Sequence, residues 1–417
     1  MSHPPIQLFA PSFDIDRCLA EVRACLEKGW TGIGFKTVEF EQRFCAYVGA
    51  PFGHFVNSNT NGIHVLLEML KMTHGWADGD QIVSTAMTFV STNHSILHAG
   101  LAPVFADVDE SLCVTAKSVR AVLTPRTRAV VFVSIGGNSG EIEAIGQLCR
   151  ERGLLLILDA AHACGARLRG RHLSSFADYS VFSFQAVKNL PTGDAGLVTV
   201  RTAEEDELLR RLCWCGINKD TYSRSKDGYK WLYSVDEVGY KYHGNALMAG
   251  IALAALDHID SGNERRREIA LRYRHGLDGF LGLRFIGHAN EAESSRHLVQ
   301  FHCPDRDKLI SHLDACQIGT GVHYRANSRY PMYAHLPSPR AETYDQQIIS
   351  LPLHLRLSDE DVAHVVAQIR NFMVKSLPGV RAVPAAGAAT ATAGATAGAT
   401  ALATAVGPAT TDACAAA

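Results

Sequence analysis

The chain has 417 residues, 47% of them apolar, with 42 acidic and 40 basic side chains and a formal net charge of −2. That balance excludes the basic surface of a nucleic-acid binder, and the length allows a large core of about two domains. The apolar stretches RAVVFVSIGG and GLLLILDAAHA are too short or too interrupted to cross a bilayer, and MSHPPIQLFAPSF lacks the pattern of a secretion signal, so a cytoplasmic protein without membrane contact is expected.

In chain order, TVEFEQRFCAYVG places Phe40, Phe44, Tyr47 and Val48 on one helical face that ends at Gly49. HFVN predicts a short strand, and NGIHVLLEMLKM a helix after the polar turn NSNT. DQIVST, APVFADV, RAVVFVS and LLLILDA are β-branched, apolar runs of strand length, separated by the helical patterns TNHSILHAG and EIEAIGQLCRERG. VFSF closes a further strand and AGLVTV opens the next. This alternation predicts an α/β fold with a mostly parallel sheet covered by helices on both faces. From about Val380 onward the chain is almost wholly Ala, Thr, Gly and Pro, which predicts a disordered tail over 379–417 without a catalytic role.

The eleven cysteines are scattered and form no CxxC pair, the nearest approach being Cys213-Trp-Cys215; they suit reduced packing thiols. The nineteen histidines show no HExxH spacing, so no metal is implied.

Ligands of such sheets bind beyond the carboxyl ends of the strands, and three strand ends carry polar groups. FVNSNT ends in Ser58, Asn59 and Thr60 directly before a helix, which makes either a phosphate cradle or an ordinary N-cap. LLLILDAAHACGA ends in Asp159, with His162 three residues on; Asp159 is either a capping residue or a functional carboxylate. SFQAVKNLPTGDAG sets Ser183 and Lys188 between two buried strands, where a lysine is either a solvated loop residue or one put to chemical use. Together the three ends point to pyridoxal 5'-phosphate. Its aldehyde needs a lysine, its ring nitrogen a carboxylate, and its phosphate a set of fixed donors.

The same segments resemble the DegT–DnrJ–StrS sugar aminotransferases from about Trp30 to about Met373. The resemblance is carried by GWTGIGFKTVEFEQRF, TAMTFVSTNHSILHAGLAPVFADVD, LDAAHACGA, SFQAVKNLPTGDAG, GINKDTYSR, WLYSVDEVGYKYHGNALMAGIALAAL, GTGVHYR and ISLPLHLRLSDEDV. It implies a fold-type-I transferase with a mostly parallel seven-stranded sheet in a large domain over 1–245. A smaller α+β domain would span 246–378. Lys188 would carry the cofactor and shuttle the substrate proton, Asp159 would hold the ring nitrogen, and His162 the ring oxygen. Phe89 would stack on the ring, unless it packs in the core; Ser183 and Ser58–Thr60 would hold the phosphate. Asn245 would reach the phosphate from a neighbouring subunit, which requires a homodimer with shared sites.

The implied reaction moves an amino group from L-glutamate to the keto carbon of a nucleotide-linked deoxysugar, most often a 4-keto-6-deoxyhexose. A cyclitol or aminohydroxybenzoate branch, or a non-catalytic cofactor-binding regulator, are the alternatives. Candidate substrate contacts are Asp194, where the resemblance leads one to expect Glu, and His323, Tyr324 and Arg325. Arg325 or Arg329 would grip a carboxylate or a phosphate, or else form a surface salt bridge. Lys219, Arg224, Lys226 and Lys230 lie on a loop suited to a phosphorylated substrate.

Overall fold

Helix α1 (Ile15–Glu27) and α2 (Phe35–Val48) precede the first strand in the computed structural model, which describes residues 3–219, 222, 231–280 and 282–376. The tail expected over 379–417 lies outside the described residues. As its spacing predicts, α2 buries Phe40, Phe44 and Val48 and stops at Gly49, whose φ of 73° is easiest for glycine.

Strand β1 (Phe52–Val56) leads into α3 (Asn59–His74), then β2 (Gln81–Ser84), α4 (Ser91–His98), β3 (Ala102–Phe105), α5 (Ala116–Val122), β4 (Thr127–Val133), α6 (Ile142–Arg152) and β5 (Leu155–Asp159). A small hairpin, β6 (Arg167–Leu168) and β7 (Arg171–His172), precedes β8 (Tyr179–Ser183), β9 (Gly196–Val200) and α7 (Ala203–Cys213). The seven-stranded sheet has the order β1-β9-β8-β5-β4-β2-β3, and only β9 runs against the others. The expected mostly parallel α/β sheet is therefore present.

The strands read as unbroken apolar runs because both faces of the sheet are covered. Within β5, Leu156 and Leu158 enter one core and Ile157 the other; within β4, Val130 and Phe132 part from Ala129 and Val131 in the same way. Phe40, Phe44, Phe55, Phe182 and Phe184 pack together in the first core, mostly edge to face.

Helices α8 (Ala246–Leu256) and α9 (Ile259–Leu277) follow, and α8 packs on α1 and α2. The antiparallel sheet β10 (Arg284–Phe285), β11 (Val299–His302) and β12 (Ile348–Leu351) comes next, with α10 (Arg306–Ala315), α11 (Pro339–Tyr344) and α12 (Asp359–Ser376). Together with α9, α10 and α12 it builds a third core around Tyr273, Phe301, Leu309 and Val365. No described helix is long and apolar enough to cross a membrane.

A buried ion cluster ties α2, β1 and α7 together. Glu41 Oε1 accepts from the Phe55 N–H (2.8 Å) and from His54 Nδ1 (2.9 Å), while Oε2 lies 3.0 Å from the Arg210 guanidinium. Burial alone would raise the Glu41 carboxyl; Arg210, His54 and the Phe55 N–H override it and hold the group at about 2, against an ordinary 4.5. A folded value below the unfolded one means stability that is present above about 4.5 and lost as pH falls towards 2. Glu41→Gln is therefore expected to cost roughly 3 kcal/mol at neutral pH. In urea unfolding, the gap between variant and wild type should close progressively between pH 4.5 and 2.

Candidate active site

The carboxyl ends of β1, β2, β4, β5 and β8 open on a cavity of about 400 Å³, of the size that holds small cofactors. Asp159, the last residue of β5, is 3% exposed. Its Oδ2 accepts from the Thr92 hydroxyl (2.7 Å), and its Oδ1 from Asn59 Nδ2 (3.3 Å) and the Ala161 N–H (3.1 Å). Burial pushes this carboxyl up; the three donors and the charge of Lys188 pull it back only in part. A buried carboxylate in that state favours a cationic N–H beside it.

Lys188 lines the same cavity, and its amine has no hydrogen-bond or ion-pair partner among the described residues. Desolvation pushes it down to about 8, against the upward pull of Asp159. The loop that carries it is pinned at both ends. Phe184, fully buried, donates its N–H to Ala195 O (2.8 Å), and its carbonyl accepts from the Thr192 N–H (2.8 Å) and hydroxyl (2.7 Å). The solvated-loop alternative does not describe this lysine.

Ser58 caps α3 by accepting from the Asn61 N–H (3.2 Å), so the helix begins two residues earlier than the sequence pattern suggests. Asn59 turns its side chain inward, to Asp159 and to Val181 O (2.9 Å), instead of crowding the turn. The N–H groups of Asn59 and Thr60 open the helix without an intrahelical acceptor, and Ser58, Thr60 and Ser183 all line the cavity. Gly196, at the start of β9, permits this approach: a Cβ there would lie 2.7 Å from Phe182 O and 2.8 Å from the Asn59 nitrogen.

His162 Nδ1 accepts from the Gly136 N–H (3.2 Å), which leaves the proton on Nε2, 3.1 Å from the Tyr324 hydroxyl. Burial, then Lys188 and His323, hold this imidazole neutral. Phe89 is 57% exposed at the cavity mouth and tilted against the Tyr324 ring, 6.0 Å between centroids, so it is not a core residue. Asp194 and His323 also line the cavity; burial pushes the Asp194 carboxyl up and His323 down to about 4.

Asn245, Arg325 and Arg329 do not line the cavity. Asn245 caps α8, accepting from the Met248 N–H (3.0 Å). Arg325 is exposed in a separate groove with Arg306, Arg329 and Asp345, over the Tyr330 ring. There Arg329 pairs with Asp345 at 2.6 Å, the salt bridge that was its alternative reading. Arg224, with Lys226 and Lys230, lies outside the described residues. Conversely, Thr92, Gln185, Phe9 and His297 line the cavity without having been singled out. A hydroxyl just after MTFVS, in the first turn of the helix that follows β2, is a readable signal for Thr92; Phe9 and His297 arrive from distant segments.

The donor set fits pyridoxal 5'-phosphate. A buried carboxylate short of a cation, an unpartnered amine with a depressed pKa, and hydroxyls around a helix start share one cavity. The profile of the DegT/DnrJ/EryC1/StrS aminotransferase family matches residues 14–370. The chain is similar to the spore coat polysaccharide biosynthesis protein SpsC of Bacillus subtilis, 34% identical over 85% of this chain and 94% of that protein. Among solved structures it is similar to the aminotransferase TlmJ from Streptoalloteichus hindustanus (32% identity, 90% of this chain and 100% of that one, TM-score 0.82). It is also similar to DesI, solved in the presence of its TDP-sugar product (25% identity, 90% and 94%, TM-score 0.80).

In the cofactor-free protein, the rate at which Lys188 captures pyridoxal 5'-phosphate should rise with pH through a midpoint near 8. Because Asp159 pulls the lysine up, Asp159→Asn should move that midpoint lower. A wild-type midpoint near the ordinary 10.5 contradicts this picture.

Proposed function

The chain belongs to the DegT/DnrJ/EryC1/StrS aminotransferase family of pyridoxal phosphate-dependent enzymes, and from that premise we propose that it transfers an amino group from L-glutamate to the keto carbon of a nucleotide-linked keto-deoxysugar, with a 4-keto-6-deoxyhexose as first candidate. The observation that carries this reading is the unpartnered amine of Lys188 in one cavity with buried Asp159. A family member solved with a TDP-sugar product supports the substrate class.

When bound, the cofactor supplies an electron sink for chemistry at the amine-bearing carbon. Asp159 would keep a proton on the ring nitrogen, with Thr92 and Asn59 fixing its carboxylate. Ser58, Thr60, Ser183 and the first N–H groups of α3 would bind the phosphate. His162 would offer its Nε2–H to the ring oxygen. Lys188 Nζ, with a pKa of about 8, would take the proton from the donor's α-carbon. In the second half it would deliver a proton to the former keto carbon, whose oxygen leaves as water. Phe89 and Tyr324 would cover the mouth and keep bulk water out.

In this reading residues 1–245 form the large cofactor-binding domain and 246–378 the smaller one, whose His297, His323 and Tyr324 line the same cavity. The functional unit is a homodimer. Supporting that, Trp231, Leu232, Val235 and Val238 expose apolar side chains, Val238 to 94%. Asn245 also lies outside its own chain's cavity, as a residue serving a neighbour would.

Addition of L-glutamate to the purified holoenzyme should bleach the near-visible band of the lysine-bound cofactor, and one nucleotide keto-sugar should restore it. Lys188→Ala should slow both halves by at least about 10²–10⁴-fold. Restoration by a keto-cyclitol and by no nucleotide sugar would replace this acceptor assignment.

A further inference from the structure

Two imidazoles, His162 and His297, face each other across the cavity wall with centroids 4.3 Å apart, and the reaction as described uses only the first. Gly136 links them. Its N–H donates to His162 Nδ1 (3.2 Å), and its carbonyl accepts from the backbone N–H of His297 (3.0 Å). Gly136 has a φ of 62°, a conformation that suits glycine.

The protonation of the His297 ring is set by a directed chain of hydrogen bonds. Asn263 Nδ2 donates to Cys164 O (3.0 Å), which turns its Oδ1 towards Asn189. Asn189 Nδ2 donates to that oxygen (2.7 Å) and to Ser295 O (2.7 Å). A flipped Asn189 amide would lose both bonds, so its Oδ1 is the atom that faces His297 Nδ1 at 2.9 Å. An acceptor there requires Nδ1–H, and a neutral ring then leaves Nε2 bare. Burial first, and then the cationic Lys188 and Arg266, keep the ring neutral. His297 is 2% exposed, lines the cavity and stacks on Phe9, and its Nε2 has no hydrogen-bond partner among the described residues. The two rings therefore carry opposite tautomers: His162 offers a donor, and His297 a lone pair.

We propose that His297 Nε2 accepts a hydrogen bond from a ring hydroxyl of the acceptor sugar, and that Asn189, next to Lys188, is the positioning residue that holds His297 in the required tautomer. The chemistry separates the two substrates that must share this cavity. An amino donor brings carboxylates, which only accept and meet the lone pair unfavourably. A sugar brings hydroxyls, which donate. A buried acceptor built for a hydroxyl discriminates against an analogue lacking it, because the lone pair is then left unpaired. The inference rests on the keto-sugar reading above.

The test has two independent arms. In ¹⁵N-histidine NMR of the cofactor-free protein, His297 should show Nδ1–H with a bare Nε2, and Asn189→Leu should abolish that preference. An Nε2–H signal for wild-type His297 overturns the inference whatever the acceptor is. In the holoenzyme, a set of singly deoxygenated nucleotide keto-sugars should include one that the wild type uses about tenfold less well, mainly through KM. His297→Phe should remove that discrimination and lose about tenfold more in the acceptor half-reaction than in the glutamate half-reaction. Equal loss in both halves, or discrimination that survives in His297→Phe, contradicts the proposal. If the wild type turns over no nucleotide keto-sugar, the acceptor reading falls, while the NMR arm still decides the tautomer.

Discussion

A carboxylate kept from water is costly unless a cation or several donors accompany it, and Asp159 is the group around which this molecule is arranged. It closes β5 at the carboxyl edge of the sheet and receives hydrogen bonds from two helices and from its own following turn. Those bonds offset desolvation in part, and the carboxyl still stands above its ordinary value. What remains is a demand for positive charge in the cavity, which a protonated ring nitrogen would meet. Lys188, desolvated and without a partner, is the complementary half: an amine whose proton is held loosely enough to move.

The rest of the fold keeps these two groups in register. Thr92 comes from the start of α4 and Asn59 from the first turn of α3, so the carboxylate is held by two helices that pack on one another. Phe184 anchors the lysine loop within an aromatic cluster that spans α2, β1 and β8. Gly196 lets the turn before α3 approach β9 closely enough to build the proposed phosphate site. Each contact joins parts of the chain far apart in sequence, so rigidity at the site comes from packing of the core rather than from local structure.

Much of this was legible from the residues alone, for physical reasons. Strand ends announce themselves because an apolar run stops abruptly at a polar residue, as at Asp159 and Ser183, and the α2 stripe ends at a glycine with positive φ. The start of α3 was placed too late because Asn59 and Thr60 look like turn residues, whereas Ser58 is already the cap. Phe9 and His297 carried no local signal: an aromatic near the start and a histidine before β11 become neighbours only when the segment before β11 reaches the turn after β4. Asn189 was hidden in another way. It reads as an ordinary loop residue, and its importance lies in which way its amide faces. Arg325 shows the reverse error, where a charged residue beside a site residue points into a different groove.

The central claim is that Asp159 keeps a proton on the nitrogen of the bound ring. Reconstitution with pyridoxal 5'-phosphate labelled with ¹⁵N in the ring tests it directly by NMR. The account predicts a protonated ring nitrogen in the wild type from about pH 6 to 9, and loss of that proton in Asp159→Asn. An unprotonated nitrogen in the wild-type enzyme would contradict it.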